Sequence, residues 1–451
     1  MMSINHPTFF VLETNLLLRA KKRCDFWFIY NILVYNSKKL SICGGVIMRD
    51  LYKYFYEDDD LYESIYDKRM ASDSLVTLDL TIKPINQPHT YQLYYVPTNK
   101  MMTDLAQIYK WAKALNEISF TLPEIAKHQF LNQLIVEEIQ QTNELEGVKS
   151  SRTEIVESIK RKHQQKKELR FQSLVEHYRL LIEEEDAVIK SPEQLRELYD
   201  RLLQSEISEE NKLDGKLFRQ DQVSVYKSAY KEIHRGLLPE SAIYDALEKM
   251  LDFLNEDEDV PVLIKIAIVH YYFGYIHPFY DGNGRLSRVL TSIYLREELG
   301  IFGGLAISQG SYQHEKQYLK AFDITNHFLN RGELNHFIQM FLMMMKDTLK
   351  GMYDELKEKN HLLSNLWEKI QALKEINPRD KEAIFMLAQN YFFAVEKGLG
   401  TQEVANHLGV SGQTVRSMMN HLEEKGFIKQ MGKSPITYFI QNDFIESSTN
   451  M

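Results

Sequence analysis

Apolar residues recur at helical spacing through most of this chain. Leu131, Leu134, Ile135 and Ile139 mark one amphipathic stretch, and Leu286, Val289, Leu290 and Ile293 mark another that runs from Arg285 to about Leu299. A third, Pro261 to Tyr275, opens on a proline suited to a first helical turn. It follows the acidic run Asn255 to Asp259 and turns Leu263, Ile266, Ala267 and His270 to one face, with His270 read as structural. From about 345 to 376, Leu349, Leu356, Leu363, Leu366, Ile370 and Leu373 predict a long helix that stops at Asn377-Pro378. Its spacing is too irregular for a coiled coil; it reads as a spacer or as a homodimer surface.

Period-two alternation is confined to short runs. Val76 to Ile82 and Thr90 to Val96 read as strands that follow an acidic, tyrosine-rich helix, with further helices from about 101. Between Gly215 and Leu238, short alternating segments around turns, with Val223 and Val225 in one of them, predict a hairpin. Residues 379–445 carry the pattern of a winged helix-turn-helix. One helix opens at Thr401, Leu408 to Ser411 form the turn, a recognition helix runs from Thr414 to Lys425, and a wing lies between Gly426 and Ile440. The expectation is a mainly α protein. A basic extension spans 1–47, an N-terminal α+β region 48–118, a helical core 119–345, a linker helix 346–376 and a winged helix domain 377–451.

At 451 residues with 44% hydrophobic content, the chain holds enough apolar surface for two or three domains. Its net charge is −9, against bulk nucleic-acid binding as the main activity. Residues 1–47 hold six Lys/Arg against two acids, or +4; subtracting this from −9 leaves −13 for the rest. With both cysteines, Cys24 and Cys43, in this stretch, Met48 reads as the natural start. Two cysteines exclude a disulfide framework and a cysteine-based zinc site, and they fit a reducing cytoplasm. The apolar run Phe26 to Tyr35 is too short to span a membrane. The last domain, from 379 on, carries seven Lys/Arg and eight Asp/Glu, with Glu423 and Glu424 on its recognition helix. Phosphate contacts need basic side chains, so DNA and a protein or dimer partner both stay open for it.

The chemistry concentrates in twelve residues, His277-Pro-Phe-Tyr-Asp281-Gly282-Asn283-Gly284-Arg285-Leu-Ser-Arg288. A glycine turn here opens a helix, where unpaired N–H groups and the helix dipole favour an anion. Gly282 and Gly284 allow close approach, Asn283 adds an amide that can donate to a phosphate oxygen, and Arg285 and Arg288 share one helical turn. Two guanidinium groups suit a di- or triphosphate. Asp281 beside bound phosphates suits Mg²⁺. His277 can take a proton from an attacking hydroxyl, and Phe279 reads as a core anchor for the loop.

The stretch resembles the Fic family pattern H-x-F-x-D/E-G-N-G-R-x-x-R at every position. The resemblance implies transfer of AMP from ATP to a Ser, Thr or Tyr hydroxyl of a target protein or of the chain itself. His277 would be the base and Asp281 would hold Mg²⁺. Gly282, Asn283 and Gly284 would cradle the phosphates, with Arg285 and Arg288 on the β- and γ-phosphates. In relatives that are kinases a lysine replaces the second glycine; Gly284 is intact here. Upstream, Thr142-Asn-Glu-Leu-Glu146-Gly147 resembles the family's inhibitory pattern S/T-x-x-x-E-G/N. Thr142 and Glu146 fall on one helical face. The resemblance pairs Glu146 with Arg288, where it would turn ATP from its productive pose. It also makes the 215–238 hairpin a flap on which the target docks by strand addition, and offers Tyr318 either to the adenine or to the core. Two other readings compete: removal of AMP at the same site, and a nucleotide-sensing, DNA-binding transcription regulator.

Overall fold

A computed structural model describes residues 48–160, 170–183, 188–203, 206–228, 231–256 and 259–449. The basic segment 1–47 lies outside the described residues. Short helices α1 (Leu51–Phe55) and α2 (Asp59–Met70) lead to strands β1 (Val76–Ile82) and β2 (Tyr91–Tyr95). The sequence suggests one helix ahead of the strands; there are two, the second capped by Asp58, whose side chain accepts from the Leu61 N–H. β1 and β2 pair antiparallel, Val76 opposite Tyr95 and Ile82 opposite Tyr91, and bury Leu78, Leu80 and Ile82 on one face.

The helical core follows: α3 (Asn99–Ser119), α4 (Glu124–Leu145), α5 (Arg152–Lys160), α6 (Gln172–Glu183) and α7 (Pro192–Leu203). Strands β3 (Ser224–Ser228) and β4 (Lys231–Arg235) form an antiparallel hairpin in the span expected for a flap, with Ser224 opposite Arg235 and Val225 opposite His234. Then come α8 (Glu240–Glu256), α9 (Val262–Ile276), α10 (Asn283–Leu299), α11 (Ile301–Gly304), α12 (Ile307–Gln313) and α13 (Glu315–Thr325). α9 departs from its one-faced expectation. All of its residues but Val262 and Gly274 are buried, so it is the central rod of the core. Its polar tips find partners: the Tyr271 hydroxyl donates to Asn326 Oδ1 at 2.7 Å, and that of Tyr272 to the Thr81 carbonyl at 3.1 Å.

α14 (Asn335–Ala372) is 38 residues long and runs without a break through the expected 345/346 boundary. The winged domain then adds α15 (Pro378–Phe393), β5 (Leu399–Gly400), α16 (Thr401–Leu408), α17 (Gly412–Glu424), β6 (Ile428–Met431), β7 (Thr437–Ile440) and α18 (Asn442–Thr449), with strand order β5-β7-β6. Its apolar residues join the same continuous core as those of the helical domain. α15 packs on α4: the Ala126 N–H donates to Gln389 Oε1 at 3.2 Å, and Phe130 meets Phe393 edge-on at 6.3 Å. No helix among the described residues is long and apolar enough to cross a membrane.

Candidate active site

α9 and α10 bring the chemistry together because the turn between them is tight. His277 closes α9 with a left-handed backbone, φ 53°, and its N–H donates to the Phe273 carbonyl at 2.9 Å. A β-unbranched but non-glycine residue in that conformation is strained. Phe279, fully buried, stacks on Tyr199 at 3.8 Å and meets Phe218 edge-on, which anchors the turn as its sequence position suggests. Gly282 takes the left-handed conformation, φ 80°, and caps α10.

Asn283 has a second role inside the loop, and Gly284 gives the close approach its sequence position suggests. Asn283 begins α10, and its amide is tied into the loop. Oδ1 accepts from the Phe279 N–H at 2.9 Å and Nδ2 donates to the Phe279 carbonyl at 2.7 Å. Its side chain therefore shapes the turn with one of its two amide N–H groups. Gly284 has no left-handed backbone to supply. It makes room: a Cβ there would lie 2.0 Å from Glu146 Oε1. An internal carboxylate thus sits against the first turn of α10, where unpaired N–H groups attract anions.

Glu146 caps the C-terminus of α4 and its Oε1 accepts from Arg288 Nη2 at 2.6 Å. Arg288 Nε donates to Thr142 Oγ1 at 2.7 Å, and Nη2 also reaches the Thr142 carbonyl at 3.2 Å. Arg288 is 2% exposed and Glu146 28%. The carboxylate beside it helps hold the buried guanidinium protonated, against the opposing effect of burial. Arg285 carries a partner that no motif announced: Glu206 Oε2 lies 2.8 Å from its Nη1. Burial lifts the Glu206 carboxyl above its ordinary range, and Arg285 pulls it back. Arg285 Nε is buried with no hydrogen-bond partner among the described residues. One edge of this guanidinium is fixed on Glu206 while its buried Nε is unmatched among the described residues.

Asp281 is 42% exposed; its Oδ1 accepts from the Gly282 N–H at 2.6 Å and its Oδ2 stands 3.9 Å from Arg285. Among the described residues no three acids or histidines gather to cage a metal. A lone exposed carboxylate beside an anion seat fits Mg²⁺ as it binds with phosphates, through one protein oxygen plus water and phosphate oxygens.

The His277 imidazole is held down to about 4, first by burial, then by the nearby His234 and Arg219. It is therefore neutral and able to accept a proton. His234, on β4, was not legible in the sequence. Its ring lies 6.5 Å from that of His277, and its Nε2 must carry the proton it donates to the Tyr275 carbonyl at 2.7 Å. Tyr318 is 5% exposed, and its hydroxyl pairs with His270 Nε2 at 2.7 Å. His270, also bonded to Thr291, is structural.

A family model of the Fic/DOC family matches residues 189–295, and one of the DeoR-like helix-turn-helix domain matches 393–432. Solved structures with a similar course include a Fic family protein from Desulfovibrio desulfuricans G20. It is 17% identical, covers 78% of this chain and 99% of its own, and has a TM-score of 0.47. Fic-1 from C. elegans is 20% identical over 57% of this chain and 73% of its own, with a TM-score of 0.40. A Fic domain containing signaling protein from Bacteroides thetaiotaomicron VPI-5482 is 17% identical over 56% and 97%, with a TM-score of 0.40. Together with the twelve-residue turn between α9 and α10, the matched segments identify the chain as one that carries a Fic/DOC family domain followed by a DeoR-like helix-turn-helix domain.

Proposed function

We propose that this chain is a protein adenylyltransferase that moves AMP from ATP to a Ser, Thr or Tyr hydroxyl and is held off by Glu146. The observation that carries the reading is the Glu146 carboxylate, seated over Gly284 and bonded to Arg288 at 2.6 Å. An anion seat already filled by an anion is a nucleotide site with its own competitor. When that carboxylate leaves, Arg288 and Arg285 have donors for the outer phosphates, and the first-turn N–H groups of α10 face the chain of phosphates. Neutral His277 takes the proton of the target hydroxyl. The oxygen bonds to the α-phosphorus, the bond from that phosphorus to the bridging oxygen breaks, and pyrophosphate departs with the electron pair. Mg²⁺, held by Asp281, would neutralise phosphate charge. The flap supports the target's part, since β3 and β4 form a two-stranded hairpin with Tyr226 exposed at 59%.

The test is intact-protein mass spectrometry of the Glu146→Gly protein after incubation with ATP and Mg²⁺. Added AMP on a hydroxyl side chain supports the reading. No added AMP, with release of AMP from a modified protein instead, would replace it with the reverse reaction.

Two smaller outcomes follow from the same geometry. Thr142→Val removes the acceptor of Arg288 Nε and leaves Glu146 in place. A buried hydrogen bond to a charged group contributes about 1.5–3 kcal/mol. Labelling by α-labelled ATP should rise about tenfold, short of the Glu146→Gly level; labelling equal to the wild type would remove Thr142 from the inhibitory contact. The pH profile of the Glu146→Gly protein is the second. Because the free-site imidazole is depressed from 6.5 to about 4, the base is lost only as pH falls through that range. The acid limb of kcat/KM should centre at about 4 or below, since the variant lacks Glu146, which raises this imidazole, and that of kcat higher, since bound phosphates favour the imidazolium. A kcat/KM limb centred at 6.5 would contradict a buried neutral base.

The helix-turn-helix domain supports a second role in DNA binding. The open face of α17 presents Gln413, Arg416, Ser417 and Asn420 to solvent, side chains suited to base edges. Glu423, which from sequence alone opposes DNA, is turned to the wing, where it accepts from the Gln430 N–H at 2.7 Å.

A further inference from the structure

Arg219 is fully buried, 0% exposed, and the adenylyl-transfer chemistry above gives it no part. It stands on the loop that enters the flap. Its Nε donates to the His277 carbonyl at 2.8 Å, Nη1 to the Asp221 carbonyl at 2.8 Å, and Nη2 to the Leu237 carbonyl at 2.9 Å, with a longer reach of 3.5 Å to that of Ile276. Its own backbone N–H donates to the Pro278 carbonyl at 3.3 Å. Every one of these acceptors is a backbone oxygen. A buried cation satisfied only by carbonyl dipoles is costly to desolvate, and burial pulls its pKa down to about 10. What the cost secures is geometric. A rigid planar fork holds three stretches of chain in one fixed geometry, which the rotatable donors of an ammonium on a flexible stem do not.

Those three stretches are the entry to the flap at Asp221, its exit at Leu237 and the backbone of His277. Gly236 allows the approach, since a Cβ there would meet Arg219 Nη2 at 2.3 Å and His277 Cβ at 3.1 Å. The Leu237 N–H donates to the Ile276 carbonyl at 3.1 Å, and the Asp221 N–H to the Tyr280 hydroxyl at 2.9 Å, so both flap roots also touch the α9–α10 turn directly. His277 sits in a strained left-handed backbone that its surroundings must hold.

We infer that Arg219 is a positioning residue that ties the His277 backbone to both roots of the flap, so that the docking strand and the proton-accepting imidazole keep one fixed spacing. This rests on the reading of the domain as an adenylyltransferase. The groups that face the imidazole are His234 from β4, Arg219 from the flap root and Glu146 from the end of α4.

The test uses R219K, which keeps the charge and loses the fork, R219Q, and G236A, whose methyl displaces the fork with Arg219 still present. In hydrogen exchange of the full chain, amides in 221–226, 232–237 and 276–281 should quicken together by about tenfold or more, with 285–295 unchanged. In the Glu146→Gly background, kcat for transfer should fall about tenfold or more, with KM for ATP held within about twofold, and lysine should not rescue. Should the Arg219 variants not fold, G236A alone decides by the same readings. Exchange that quickens in the flap or in 276–281 but not in both overturns the inference, as does full transfer activity with both loosened. If Glu146→Gly itself transfers no AMP, the enzymatic reading fails, and the exchange data still decide whether the clamp exists.

Discussion

Glu146→Gly should raise AMP transfer about 10²-fold over the wild type, measured as incorporation from α-labelled ATP per mole of protein. The size follows from what the substitution releases. In the resting chain Arg288 has its donors on Glu146 and Thr142, and the carboxylate lies where a Cβ at 284 would be. A guanidinium so occupied contributes nothing to the developing charge on the phosphates, and one such donor is worth about 10²–10³ in rate at a preorganised site. The variant should also be less stable without nucleotide, because removal of one partner leaves Arg288 buried with less compensation. Saturating ATP should restore it by mass action, so thermal melting with and without ATP should separate variant from wild type. Labelling of the wild type and Glu146→Gly at equal rates would remove autoinhibition from the account.

His277→Ala, made in the Glu146→Gly background, should cut transfer about 10³-fold while ATP binding changes little. A positioned general base contributes about 10²–10⁴, and neutral His277 is the imidazole nearest the turn that opens α10. The substitution leaves Arg285 and Arg288, the proposed phosphate donors, in place, so the affinity for nucleotide measured by calorimetry should hold. Transfer that survives the substitution would pass the base role to His234, whose ring lies 6.5 Å away, or would remove base catalysis from the mechanism.

The sequence makes the turn legible because its chemistry is local. Base, acid, glycines and arginines fall within twelve residues, and the helix after them shows in Leu286, Val289, Leu290 and Ile293, all buried. Thr142 and Glu146 are also legible, since four-residue spacing alone sets them on one face. What stays hidden depends on contacts between distant segments. Glu206 sits in an acidic stretch that looks solvated, yet is the partner of Arg285. Arg219 looks like an ordinary strand-edge arginine until the fold wraps three backbones around it. Local spacing also cannot tell that the Asn283 amide ties to both backbone groups of Phe279. For α9, a buried face read from Leu263, Ile266, Ala267 and His270 leaves Lys265 on a side that looks open. Lys265 instead donates to the Leu254 carbonyl at 3.0 Å, so the helix lies buried on nearly every side.

The 38 residues of α14 span about 57 Å at 1.5 Å per residue. Scissors applied at residue 345, where composition invites a cut, would sever a rod in its apolar middle. They would strip Leu349, Met352 and Leu356, each buried, from the helices they cover. The half with the Fic/DOC domain would keep a stump and lose one wall of its interior, so dissection of this protein has to leave the strut whole.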